Sequence, residues 1–131
     1  MHILVTGGAG FIGANFIRLA LAARPGVRIT NLDNLSYSGN IENLLGLESE
    51  PRYEFVRGDI TDAATVGPLV ERCDAVVHLA AESHVDRSLL DARPFMMTNV
   101  VGTQTLLDSL RQSHAKRAFG DTSAAKRFVY V

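Results

Sequence analysis

The N-terminal run HILVTGGAGFIG, His2 to Gly13, joins a strand-like apolar segment directly to glycines at positions 7, 10 and 13. A buried strand that turns at once into a glycine-spaced helix start is the opening of a β-α-β unit, which implies a parallel sheet with right-handed crossovers. The rest of the chain keeps that rhythm. HILVT (2–6), RITNLD (28–33), YEFVRGD (53–59), DAVVHLAA (74–81) and RFVYV (127–131) read as strands. The first, fourth and fifth are nearly unbroken apolar runs, as strands covered on both faces should be. Helices are expected at about 11–23, 40–46, 62–72 and 94–113, with Asp62 as the N-cap of the third and Pro94 in the first turn of the fourth. The fold class is therefore α/β, a Rossmann-type doubly wound parallel sheet of about five strands within one domain spanning 1–131. The polar segment SHAKRAFGDTSAAK (113–126) reads as a surface connection. Domains normally end in a surface element, whereas Val131 closes an expected central strand, so an incomplete domain is expected.

Composition narrows the partners. A net charge of −1 gives no electrostatic reason to expect nucleic acid or an anionic membrane. The single cysteine, Cys73, excludes an internal disulfide and a cysteine-rich zinc site. No apolar run approaches a membrane span and the N-terminus opens on a strand, so a cytoplasmic location is expected.

In the glycine loop, Gly7 would allow the tight turn, Gly10 would let the backbone approach a pyrophosphate, and Gly13 would let the helix pack on the strand. Alone this spacing is weak, and it is not a Walker loop. Twenty residues after Gly13, the second strand ends in Asp33, where a ribose-binding carboxylate is expected. Such a carboxylate accepts hydrogen bonds from ribose hydroxyls and repels a 2′-phosphate, which favours NAD over NADP. The bland alternative is a turn formed by Asp33 and Asn34. Asp59 repeats the arrangement after the third strand.

The stretch HLAAESHVDRS, His78 to Ser88, follows the fourth strand on the same edge. Ala80 and Ala81 are small enough for a flat ring to lie against the backbone. A metal held by His78, Glu82 or His84 is not expected, since His78 sits among apolar neighbours. A triad of Ser83, His84 and Asp86 is disfavoured because sequence neighbours rarely converge. Asp86 and Arg87 read as a local ion pair.

ILVTGGAGFIG, NLDNLSYSGNIENL, RGDI, AAESHVDRS and TNVVGTQTLL together resemble the extended short-chain dehydrogenase/reductases, and among them the dTDP-glucose 4,6-dehydratases. AAESHVDRS is the most specific of these segments. GDP-mannose and CDP-glucose dehydratases come closer than other relatives but usually carry glutamine where Glu82 stands. The resemblance covers residues 1 to about 110 and 126–131, and nothing is carried over to the segment between. It implies that Phe11 and Ile12 face the pyrophosphate. Asp33, Asn34, Leu35 and Ser36 would surround the adenosine ribose, with Asp59 and Ile60 at the adenine. Leu79, Ala80, Ala81 and Glu82 would line the nicotinamide side, joined by Thr98, while Ser83 would contact the sugar nucleotide. For Thr98 alone, a hydroxyl bonded to its own helix is the simpler reading.

The resemblance also implies a lyase that dehydrates dTDP-glucose to its 4-keto-6-deoxy product by transient hydride transfer to NAD, typically as a homodimer. Family members supply the proton-transfer groups from a Thr-Asp-Glu segment and a Tyr-x-x-x-Lys helix. Neither pattern occurs here: Tyr37, Tyr53 and Tyr130 have no lysine four residues later. No catalytic residue is therefore expected in these 131 residues, and the chain alone is expected to be inactive. A non-catalytic NAD-binding module and a nonfunctional remnant remain open at this point.

Overall fold

A computed structural model describes residues 1–115 and 126–131. Five parallel strands form one sheet: β1 (His2–Thr6), β2 (Arg28–Asp33), β3 (Tyr53–Arg57), β4 (Ala75–His78) and β5 (Arg127–Tyr130), in the order β3-β2-β1-β4-β5. This is the expected Rossmann-type order. Thr6 pairs level with Leu32 on one side and His78 on the other, and His78 with Tyr130. The loops after β1, β2 and β4 therefore leave the sheet at one height, on one edge.

Side-chain alternation along β1 builds a core on each face. Ile3 and Val5 pack toward α1 (Phe11–Ala23), whose Ala14, Ile17 and Leu21 recur at helical spacing. Leu4 points the other way, into a cluster with Leu32, Val76, Val66, Leu69 and Val70 of α2 (Ala63–Arg72), and Leu106 of α5 (Thr103–Ala115). Leu4, Ile17, Val66 and Leu106 are fully buried, each contributing about 1.5–3 kcal/mol by leaving water. Asp62 caps α2, accepting from Ala64 N at 3.0 Å and Thr65 Oγ1 at 2.6 Å.

Several elements differ from expectation. Residues 40–46 hold only a single 3₁₀ turn, Ile41–Leu44, capped by Asn40. β3 ends at Arg57 and β4 at His78, because the residues beyond leave the ladder to form the edge of a cleft. The expected 94–113 helix is composite: α4 (Arg93–Phe95), with Pro94 in its first turn, runs into a π-helical stretch, Met96–Gly102, and then α5. A further helix, α3 (Val85–Leu90), precedes it. β5 is not covered on both faces: Val129 and Tyr130 are 49% and 56% exposed, since no described element flanks its outer edge. Of the expected surface connection, 116–125 lie outside the described residues. Lys126 donates to the carbonyls of Val70 and Glu71 at the end of α2.

Candidate functional site

The β1 turn is fixed by close backbone approach. Gly7 has φ +75°, and a Cβ there would lie 2.6 Å from Ala80 N. A Cβ on Gly13 would lie 2.3 Å from the Gly7 carbonyl oxygen. The fold itself therefore requires these two glycines. Gly10 is different: its φ of −75° suits any residue, and a Cβ would meet nothing among the described residues closer than the Gly7 carbonyl oxygen at 3.4 Å. The N–H groups of Gly8, Ala9 and Gly10 are taken by Asn31 Oδ1, Asp33 Oδ2 and the Gly7 carbonyl, at 3.0, 2.8 and 3.2 Å. The first helical bond runs from Ala14 N to the Gly10 carbonyl at 3.0 Å. The amides of Phe11, Ile12 and Gly13 therefore fall to the helix start, where the dipole is positive, and all three residues line a cleft of about 470 Å³.

The β2 wall is organised by Asp33, only 7% exposed. One carboxylate oxygen accepts Ala9 N and the other accepts Leu35 N, each at 2.8 Å. The second bond holds Leu35 at φ 57°, a conformation that costs a branched residue about 1–3 kcal/mol. Asn34 Nδ2 donates to Asp59 Oδ2 at 3.1 Å, and Thr61 donates to Asp59 Oδ1 through both its N–H and its hydroxyl at 2.8 Å. Burial works to raise the Asp59 pKa, but these hydrogen bonds together outweigh it and hold the carboxyl below its ordinary value. Ala9 O accepts from Asn40 N and Asn43 Nδ2, latching the 34–43 loop to the glycine loop.

The β4 wall consists of Leu79, Ala80, Ala81, Glu82 and Ser83, faced by Thr98 from the π-helical stretch. At its base His78 is fully buried, with Nδ1 2.7 Å from Thr6 Oγ1 and Nε2 2.9 Å from Thr103 Oγ1. Burial pushes its pKa down to about 4, so the ring is neutral near pH 7. Both nitrogens are engaged and neither is open to a metal.

The cleft thus brings together Gly7, Gly10, Phe11, Ile12, Gly13, Asp33, Asn34, Ser36, Ile60, Leu79 to Ser83 and Thr98. Leu35 and Asp59 do not line it: Leu35 packs its side chain into the core, and Asp59 is turned to Thr61 and Asn34. The expected Asp86–Arg87 ion pair does not form, since adjacent helical residues point apart. Arg87 instead lies 4.4 Å over the Tyr37 ring, which His84 meets edge-on at 6.0 Å.

Sequence reading did not single out Asn31, Asn99 or Thr103. Asn31 is fully buried between Gly8 N and the Tyr53 hydroxyl, and a polar residue inside a buried strand was a usable signal. Asn99 meets Glu82 twice, accepting from its N–H and donating to its carbonyl, each at 2.8 Å. Such a pairing across seventeen residues leaves no periodic trace.

The family profile described as GDP-mannose 4,6 dehydratase matches residues 4–129. The chain is 53% identical over 116 residues to a dTDP-glucose 4,6-dehydratase of Mycolicibacterium smegmatis, covering 88% of this chain and 34% of that protein. It is 56% identical over 110 residues to one from Streptomyces griseus, covering 82% and 33%. A dTDP-glucose 4,6-dehydratase structure from Streptomyces venezuelae, solved with NAD bound, superposes with a TM-score of 0.82 at 50% identity, over 87% of this chain and 37% of that one. The chain spans about a third of the length of these relatives. With a single family profile running across nearly all of the sheet and the glycine loop, the chain belongs to the GDP-mannose 4,6 dehydratase family.

Proposed function

We propose that this chain is the NAD-binding part of a dTDP-glucose 4,6-dehydratase, a lyase converting dTDP-glucose to dTDP-4-keto-6-deoxyglucose and water. One observation carries the reading: the α1 amides, the Asp33 carboxylate and the Leu79–Ser83 edge line one continuous cleft at the carboxyl ends of β1, β2 and β4. In open parallel sheets that is where dinucleotides bind.

The residues fit NAD. The Phe11, Ile12 and Gly13 amides suit a pyrophosphate, and Gly10 leaves space that no described residue fills. Asp33 uses one acceptor direction on each oxygen, which leaves lone pairs for the adenosine ribose hydroxyls. Asn34 and Ser36 flank the ribose, and Ile60 forms the adenine wall. Asp59 acts through Asn34, and Leu35 through the backbone turn that it closes. Leu79, Ala80, Ala81, Glu82 and Thr98 flank the nicotinamide, and Ser83 faces the sugar nucleotide. When bound, NAD supplies a hydride acceptor that returns its hydride, so the net reaction is a dehydration.

No complete Tyr-x-x-x-Lys lies within these 131 residues, so the tyrosine–lysine pair that moves protons in this reading is not among them. A homodimer in the cytoplasm belongs to the same reading. Exposed apolar side chains on the helices after β4, among them Leu90 and Met96, support self-association. A net charge of −1 favours neither nucleic acid nor an anionic membrane.

The test is calorimetric titration of NAD into the wild-type chain and Gly10→Ala. One saturable site, weakened in a variant that folds normally, is expected. Equal affinity in the two would remove the pyrophosphate from the glycine loop.

A further inference from the structure

The ladder after β4 ends with Leu79 N donating to the Thr6 carbonyl at 3.0 Å, and beyond it side chains take up backbone groups of the partly buried Ala80 and Glu82. Asn99 takes up two at once. Its Oδ1 accepts Glu82 N and its Nδ2 donates to the Glu82 carbonyl, each at 2.8 Å, so a flipped amide would set donor against donor. Asn99 is itself held from behind. The Thr103 hydroxyl donates to the Asn99 backbone carbonyl at 2.7 Å, so toward His78 Nε2, 2.9 Å away, it can only accept. His78 therefore carries its proton on Nε2, and Nδ1 accepts the Thr6 hydroxyl proton at 2.7 Å. The Thr6 oxygen then accepts Ala80 N, at 3.4 Å the weakest link. The reverse order would leave the Asn99 carbonyl without the Thr103 proton and the Thr6 proton without an acceptor. One direction of donation therefore runs from Ala80 to Asn99, and it clamps the Ala80–Glu82 segment at both ends.

We propose that Asn99, backed by the Thr103–His78–Thr6 chain, is a positioning residue that fixes this segment as the wall for the nicotinamide half of a bound dinucleotide. The proposal rests on the NAD reading above. The assignment to one half follows from the topology: Asp33 closes β2, the pyrophosphate amides follow the central β1, and Ala80–Glu82 follow β4 on the opposite side. ADP spans only the first two regions, whereas NAD spans all three.

The experiment is calorimetric titration of NAD and, separately, ADP into the wild-type chain and the variants Asn99→Asp, Thr103→Val and Thr103→Ser. Asn99→Asp puts an acceptor against the Glu82 carbonyl, and Thr103→Val removes the hydroxyl with little change of shape. Both should weaken NAD by roughly tenfold and leave ADP unchanged, while Thr103→Ser should match the wild type. Equal weakening of NAD and ADP, no weakening of either, or Thr103→Ser behaving like Thr103→Val would overturn the proposal. A wild-type chain that binds neither ligand overturns the dinucleotide reading and the proposal with it. Nitrogen-15 NMR of the wild-type histidine rings checks the relay without any substitution. The Nε2–H tautomer is expected at His78, and the Nδ1–H tautomer would overturn the assigned direction.

Discussion

The Asp33 carboxylate accepts the backbone N–H of Ala9 at 2.8 Å, tying the end of β2 to the glycine loop twenty-four residues away. The ribose-binding candidate is thus also a structural staple. Asp33→Ala strands the buried Ala9 N–H and releases Leu35 from its left-handed conformation. Urea denaturation should report a loss of roughly 1–3 kcal/mol. An unchanged midpoint would mean that the loop holds itself.

Gly7 and Gly10 should part company in thermal melts. Gly7→Ala forces a Cβ into the Ala80 backbone at positive φ, and the left-handed conformation alone costs about 1–2 kcal/mol. Gly10→Ala should melt like the wild type, because its Cβ meets only ordinary contact. Equal melting losses in the two variants would contradict this division.

His78 gives stability a pH dependence of known sign. Its folded pKa of about 4 lies below its ordinary value of 6.5, so between those limits the unfolded chain binds the extra proton. The contribution is therefore complete above about pH 6.5 and is lost as pH falls toward 4, by about 3 kcal/mol in all. His2, also lowered mainly by burial, acts in the same direction more weakly. Unfolding titrations from pH 7 to 4 should show this slope, and His78→Gln should flatten most of it. A slope as steep in the variant would assign the effect elsewhere.

Turnover is the fourth expectation. The purified chain, given dTDP-glucose and NAD, should form no 4-keto-6-deoxy product, because no Tyr-x-x-x-Lys lies within it. Product formed without a full-length contaminant would show that other groups move the protons.

Local signals carried much of this fold in the sequence. The helix at 11–23 and the strands at 2–6 and 28–33 were legible because each has a period and a punctuating glycine or aspartate. The region after β4 was legible only in part: Pro94 and the apolar spacing announced a helix at 94–113, but not its π-helical stretch, and not α3. α3 buries no residue, so no apolar stripe announces it, and the π-helical stretch widens the period at Met96–Gly102. Asn99 and Thr103 were hidden for a different reason: their partners Glu82 and His78 are brought near only by the finished sheet.

Cofactor choice reports whether the Asp33 carboxylate meets the adenosine ribose. Titration calorimetry of NAD and NADP into the same chain should show NAD bound at one site and preferred, with Asp33→Ala weakening NAD by roughly 1.5–3 kcal/mol and narrowing the preference. Equal affinity for the two cofactors, or no saturable binding of either, would contradict the account.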